Sequence, residues 1–167
     1  MFLAHMPAGY LVSKFFISQF RFKQTNIKFL MCIGLLGSIF PDLDMFYFYL
    51  IDNRQHGHHS YWTHIPFYWI AILLSTYVLA ALFRSRALAN IASVFIAGTL
   101  THLLLDTFAG GGIKWLHPFN NEYLHLFSIP SQHNYWIWNY VLHWTMLVEF
   151  CIISMAVITY WRARKKS

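Results

Sequence analysis

Long apolar runs without charged residues are the feature that most restricts the fold of this chain. Residues 65–83 and 87–105 each contain 19 residues and no Asp, Glu, Lys or Arg. A helix of about 20 residues crosses the hydrocarbon core of a bilayer. Only 11% of the chain is charged, whereas soluble domains carry about a quarter. The sequence therefore predicts an all-α, multi-spanning helical membrane bundle, with residues 1–167 forming a single integral-membrane domain.

About five membrane segments are predicted, and one of them contains a break. The segments are residues 2–20, 29–40 with the short run 45–51, 65–83, 87–105 and 136–161. The run before Pro41 would span only about 18 Å as a helix, so we predict a broken helix at this proline. Broken helices at membrane depth are tolerated where they line a protected cavity, which places Asp42 and Asp44 in a recess.

The basic residues predict the orientation of the chain. If each segment crosses once, ten of the 12 basic residues fall on one side, and only Arg54 and Lys114 fall on the other. The ten are Lys14, Arg21, Lys23, Lys28, Arg84, Arg86, Arg162, Arg164, Lys165 and Lys166. The positive-inside rule makes their side cytoplasmic, so the N-terminus is predicted outside and the C-terminus inside an inner or plasma membrane. These residues form no basic face, so we expect membrane lipids and no nucleic acid as partners, with the oligomeric state left open.

Acidic residues and histidines collect on the side opposite to the basic residues. This side receives His5, Asp42, Asp44, Asp52, His56, His58, His59, His64, His102, Asp106, His117, Glu122, His125 and His133. Only His143 and Glu149, inside the last segment, are left over, and Glu149 is an intramembrane acid of unidentified partner. The basic residues alone define the two sides, so this segregation independently indicates one site.

The strongest pair within this set is His102 and Asp106. Their i, i+4 spacing places both side chains on one face of a helix, where they can share an ion. A simple hydrogen-bonded pair is the alternative, since an aspartate in a span is costly unless it is paired. His5 alone is more often an interfacial residue. Thr63 is predicted to be a helix N-cap that places His64 in the first turn.

Imidazoles and carboxylates without thiolates predict a divalent metal site. The predicted ligands are His5, Asp42, Asp44, His59, His64, His102 and Asp106. This ligand type suits Zn²⁺ first, and Mn²⁺ or Fe²⁺ next. Seven candidates exceed the three protein ligands of one catalytic zinc, so one or two ions are expected, with some residues orienting the others. Asp44, as a base or bridging ligand, and Arg54, as a phosphate partner, are the predicted catalytic residues.

At these residues the sequence resembles the YdjM-like family of membrane-bound metal-dependent hydrolases. The matching motifs are Ala4-His5 followed by Gly9, Gly37 to Asp44, His59 with Thr63-His64, His102 to Thr107, and His117-Pro118-Phe119. In the family's second motif, Ser60 and Tyr61 replace an arginine and a glycine. The histidines and aspartates are also distantly similar to those of zinc-dependent phospholipase C and P1-type nucleases. The resemblance implies metal-dependent hydrolysis.

The leading hypothesis is a membrane-bound hydrolase that acts on an ester or phosphoester of a lipid-like substrate at the extracytoplasmic face. Two other classes stay open. A metal-ion transporter would need ligands along a path to the cytoplasmic side, where the sequence offers none beyond His143 and Glu149. A non-catalytic membrane protein with a structural metal would need a closed ligand shell.

Overall fold

Helices, and no strands, make up the regular secondary structure of the part that the computed structural model describes, residues 3–20, 22 and 25–165, and a long loop covers residues 109–135. The helices are α1 (His5–Phe20), α2 (Ile27–Ile39), α3 (Asp44–Leu50), α4 (Pro66–Leu82), α5 (Arg86–Phe108), α6 (Trp136–Val141) and α7 (Thr145–Arg164). Short 3₁₀ turns lie at Pro41–Leu43, His58–Ser60 and Trp62–His64. The all-α prediction is confirmed. Residue 2 of the first predicted segment and the basic residues Arg21, Lys23 and Lys166 lie outside the described residues.

The break at Pro41 is present between α2 and α3. Helix α2 begins after Asn26, whose side chain accepts hydrogen bonds from the backbone N–H groups of Lys28 and Phe29 at 2.8 and 3.3 Å. It ends at Ile39, because Pro41 has no N–H with which to continue the helical ladder. The segment that follows is bent by 54° from α2. This bend turns the two aspartates after Pro41 away from the course of α2, and Oδ1 of Asp42 comes to lie 3.5 Å from Nε2 of His102 on α5.

Close backbone packing joins α2 to α5, the most extensive helix contact in the described chain. A Cβ atom on Gly98 would lie 2.3 Å from the carbonyl oxygen of Gly34, and one on Gly37 would lie 2.1 Å from that of Phe95. Only glycine permits this approach, as small residues commonly do between membrane helices. Helix α5 also packs on α1 and α4, so it lies at the centre of the bundle.

Residues 136–161, predicted as one membrane segment, do not form a single helix. The chain leaves the helix after Val141 and resumes it at Thr145. The His143 ring nitrogen Nδ1 lies 2.9 Å from the Thr145 hydroxyl, and the backbone N–H of Thr145 donates to it at 3.5 Å. Local hydrogen bonds of this kind compete with the helical ladder, which accounts for the separation of α6 from α7.

Two helices in the described residues, α5 and α7, are long and apolar enough to cross a membrane. The bent pair formed by α2 and residues 41–50 makes a third candidate if it is one span, and α4 is apolar but shorter. Many large apolar side chains on α4 and α7 are exposed, as expected of surfaces that face lipid. The membrane class is thereby supported, with two to three candidate spans by length and composition.

Candidate metal centre

Seven side chains converge where the break after α2, the loop before α4, the end of α5 and the start of α1 meet. They are His5, Asp42, His58, His59, His64, His102 and Asp106. Six of them belong to the predicted ligand set, and His58 is new. The seventh predicted ligand, Asp44, lies behind this cluster.

Asp106 lies at the centre of the cluster. Its Oδ2 is 3.1 Å from His102 Nε2, 3.6 Å from His59 Nε2 and 3.8 Å from His64 Nε2. Its other oxygen, Oδ1, lies 3.1 Å from His5 Nε2. The ring of His5 also stacks on that of His102, with centroids 3.9 Å apart. One buried carboxylate thus faces four imidazoles from three separate parts of the chain.

Asp42 closes the cluster on its open side. Its Oδ1 lies 3.5 Å from His102 Nε2, 3.8 Å from His58 Nε2 and 3.9 Å from His64 Nε2. The side chain of Asp42 is 43% exposed, whereas those of His64 and His102 are fully buried. Asp42 is therefore the carboxylate that an incoming molecule would meet.

Main-chain oxygens orient two of the histidines through the ring nitrogen that faces away from the cluster. His102 Nδ1 donates to the carbonyl oxygen of Ser38 at 2.8 Å. The last carbonyls of a helix have no partner within it, and Ser38 lies in the last turn of α2. His59 Nδ1 donates in the same way to Gly112 at 3.0 Å. With Nδ1 bonded to a carbonyl oxygen, Nε2 is the ring nitrogen that faces the cluster in both histidines.

Asp44 orients two further histidines. Its Oδ1 lies 2.8 Å from His58 Nδ1, and its Oδ2 lies 2.8 Å from His64 Nδ1. The hydroxyl of Thr63 also donates to Oδ2. Thr63 was predicted as an N-cap, and this is wrong: α4 begins at Pro66, and the threonine binds this carboxylate instead. Carboxylates that bond the outer nitrogen of an imidazole typically lie behind metal ligands, so Asp44 has that geometry rather than the geometry of a ligand.

The spacing of the ligand atoms is compatible with a bound cation as well as with an ion-pair network. Four ligands about 2.05 Å from a tetrahedral zinc lie roughly 3.3 Å apart, within the range of 3.1–3.9 Å between the Nε2 and aspartate oxygens here. His64 Nε2 and His102 Nε2 are buried and make no hydrogen bond within the described residues. Unsatisfied buried nitrogens are costly, and a divalent cation is one partner that both atoms could bind.

Burial keeps the loop histidines in the form that a cation requires. Outside the spanning segments, burial lowers the pKa of His59 to about 3, although the nearby Asp106 carboxylate partly opposes this. Burial also lowers the pKa of His64, against the hydrogen bond to Asp44. Both rings are therefore neutral near pH 7 and carry a lone pair on Nε2.

A cavity of about 790 Å³ leads to the cluster. Its walls include Asp42, His58, His59 and Asp106 together with apolar and aromatic side chains, among them Met45, Phe48, Tyr49, Tyr123 and Tyr140. The Arg54 guanidinium lies 4.7 Å from the ring centre of Tyr49, and the Lys114 ammonium lies 4.8 Å from that of Tyr123. The structure thus places Arg54, predicted to be catalytic, beside the cavity wall, with no ion pair to the cluster among the described residues.

Other histidines stay outside the cluster. His56 bonds Asp52, with Nδ1 2.7 Å from Oδ1, and its hydrogen bonds lower the pKa of Asp52 to about 2. Nδ1 of His117 lies 2.8 Å from Oδ1 of Asn121 on the surface. His125 and His133 are exposed on the surface. Sequence reasoning missed His58 because the run His56-Gly57-His58-His59 offers no periodicity that separates its members.

One comparison with known proteins gives a family. The family model described as YdjM inner membrane protein matches residues 1–165, nearly the whole chain, and this confirms the predicted resemblance. No curated protein and no solved structure matches the chain. The distant similarity to phospholipase C and P1-type nucleases therefore stays a prediction.

Proposed function

The chain belongs to the YdjM inner membrane protein family, and we propose that it is a metal-dependent hydrolase embedded in the membrane. In this proposal it cleaves an ester or phosphoester of a lipid-like substrate at the extracytoplasmic face. One observation supports it above the others: inward-facing Nε2 atoms and two aspartates meet at the floor of a cavity that opens beside Asp42.

The proposed topology has five crossings, with α1 and α4 added to the candidate spans. The N-terminus is outside and the C-terminus is cytoplasmic. The distribution of the basic residues supports this, because ten of the 12 fall at the end opposite to the cluster under this arrangement. The cluster then lies near the extracytoplasmic ends of α1 and α5.

The residues that would hold Zn²⁺, or Mn²⁺ or Fe²⁺, are His5, Asp42, His58, His59, His64, His102 and Asp106. They form three groups, and within each group the ligand atoms lie within 4.8 Å of one another. One group shares a residue with each of the other two, which suits one or two ions. A divalent cation bound there would supply Lewis acidity toward water and a substrate oxygen. The chain itself supplies orientation, since Asp44 holds His58 and His64 by their outer nitrogens.

The substrate proposal rests on what surrounds the cavity. Arg54 and Lys114 lie over Tyr49 and Tyr123, two rings of the cavity wall, and can reach an anionic headgroup that enters between them. Met45 and Phe48 supply apolar surface on the same wall. A phosphate next to an acyl chain matches both kinds of surface, so a lipid phosphoester is the proposed substrate class.

The test compares two histidines that are close in sequence. Protein purified in detergent would be analysed for bound metals and assayed for hydrolysis of short-chain phosphatidic acid and phosphatidylcholine. We expect His64→Ala to lower Zn²⁺ affinity by more than about 100-fold, because partners behind a ligand alone contribute about 10–100-fold. The control His56→Ala should match the wild type, since His56 lies outside the cluster.

Equal metal content in the two variants would contradict the proposed site. Bound metal with no turnover of either lipid would favour a structural metal over catalysis. Turnover that survives full removal of metal by a chelator would overturn metal-dependent hydrolysis.

A further inference from the structure

His5 reaches the cluster from a weak position, the first residue of α1. The first four N–H groups of a helix have no partner within it, so helix starts fray unless other groups bind them. Yet His5 contacts the cluster closely: its Nε2 lies 3.1 Å from Oδ1 of Asp106, and its ring centre lies 3.9 Å from that of His102. Some other group must therefore hold the start of α1.

Glu149 of α7 is the group in contact with the start of α1. Its Oε2 accepts a hydrogen bond from the backbone N–H of Ala4 at 3.0 Å and another from Leu3. Glu149 is 2% exposed and Ala4 is fully buried, so the bond between them is shielded from water. A carboxylate is also favourable at this end of a helix, where the helix dipole is positive.

We propose that Glu149 is a positioning residue that holds His5 in place for metal binding. Its two hydrogen bonds to backbone N–H groups hold Leu3 and Ala4, the residues directly before His5. They thereby set the position from which the His5 side chain extends. The inference rests on the proposed metal site and deepens it. It gives α7, which contributes no ligand among the described residues, a definite role in the cluster.

A second contact between the same two helices provides a matched control. The Lys14 ammonium donates to the carbonyl oxygen of Thr159 at 3.0 Å, in a later turn of α1 and away from His5. If Glu149 served only to attach α7 to α1, loss of the Lys14 contact should affect metal binding in the same way. If Glu149 positions His5, only the Glu149 variant should do so.

The experiment is a double-mutant cycle on Zn²⁺ affinity, measured by competition with a chromophoric chelator. Glu149→Ala should weaken binding about tenfold, the lower end of the range for partners behind a ligand. In the His5→Ala background, the same change should alter affinity by less than about twofold, because the group that it positions is gone. Glu149→Gln keeps an acceptor oxygen and should recover part of the loss, and Lys14→Met should leave affinity unchanged.

Hydrogen exchange of the chelator-treated protein gives a second readout that needs no metal. Amides at the start of α1 should exchange slowly in the wild type and at least about tenfold faster in Glu149→Ala, with Glu149→Gln between them. Unchanged exchange, or a tenfold affinity loss that persists in the His5→Ala background, would overturn the inference. A wild type that binds none of Zn²⁺, Mn²⁺ and Fe²⁺ would overturn the proposed function instead, while exchange would still decide whether Glu149 holds the start of α1.

Discussion

Helices α5 and α7 are similar in sequence character and differ in their surroundings. They have 23 and 20 residues, and both are apolar enough to cross a membrane. Of the most apolar 18-residue stretch of α5, 33% is buried, and α5 packs on α1, α2 and α4. Of the corresponding stretch of α7, 17% is buried, and α7 packs mainly on α1. Similar hydropathy therefore accompanies a central helix in one case and a peripheral helix in the other.

Each of the two helices carries one buried acid, and the two acids contact different groups. Asp106 of α5 faces four imidazoles, and Glu149 of α7 binds backbone N–H groups at the start of α1. The charge of an intramembrane carboxylate can thus be compensated by a ligand cluster or by a helix start. Neighbouring elements, rather than the helix that carries the acid, decide which of the two applies.

The largest expected effect separates the two acids by metal content. Asp106→Asn removes the charge at the centre of the cluster and should lower bound Zn²⁺ to less than about a tenth of the wild-type amount, a loss of more than about 100-fold in affinity. Glu149→Gln should keep the stoichiometry of the wild type. Elemental analysis of the purified variants measures this. An equal loss of bound Zn²⁺ in both variants would contradict the proposal that Asp106 is a ligand and Glu149 a positioning residue.

A smaller effect is expected from packing. Gly98→Val places side-chain atoms where a Cβ would already lie 2.3 Å from the oxygen of Gly34, so it should lower the free energy of unfolding by about 2 kcal/mol. Val157→Leu on the exposed surface of α7 should change it by less than about 0.5 kcal/mol. Equilibrium unfolding in mixed detergents, followed by circular dichroism, measures both. Similar values for the two variants would refute the contrast between a central and a peripheral helix.

The smallest effect concerns the attachment of α7. Lys14→Met removes the hydrogen bond to the oxygen of Thr159 and should lower the free energy of unfolding by about 1 kcal/mol. Lys28→Met, at the exposed start of α2, serves as the control and should stay within about 0.5 kcal/mol of the wild type. The same unfolding experiment applies. A loss as large as that of Gly98→Val would mean that α7 is as central to stability as α5.

Apolar runs and proline chemistry allowed much of the fold to be predicted. The runs located five of the helices, α1 to α5, to within a few residues, and the missing N–H of Pro41 predicted the break between α2 and α3. The split of the last segment could not be predicted, because it depends on a local bond between His143 and Thr145 that competes with an otherwise apolar helix. The count of five crossings remains a proposal.

The candidate site was predictable as a set of residue types and less so as a geometry. The segregation of histidines and acids predicted the set of 14 residues from which the seven in the cluster come, because the predicted orientation of the segments puts all 14 on one side. The difference between His56 and His58 was not predictable, because the loop that carries them has no regular periodicity. The partner of Glu149 was equally hidden, since it lies 145 residues away and is backbone rather than side chain.

The use of main-chain oxygens to orient His59 and His102 has a consequence for transferring this arrangement to another protein. A carbonyl oxygen is present whatever side chain its residue carries. The orientation of these two rings therefore depends on the backbone conformation at Ser38 and Gly112. A designer who grafts only the histidines and aspartates onto a straight-helix scaffold would leave both rings free to rotate. The end of α2 and the loop that carries Gly112 have to be transplanted with them.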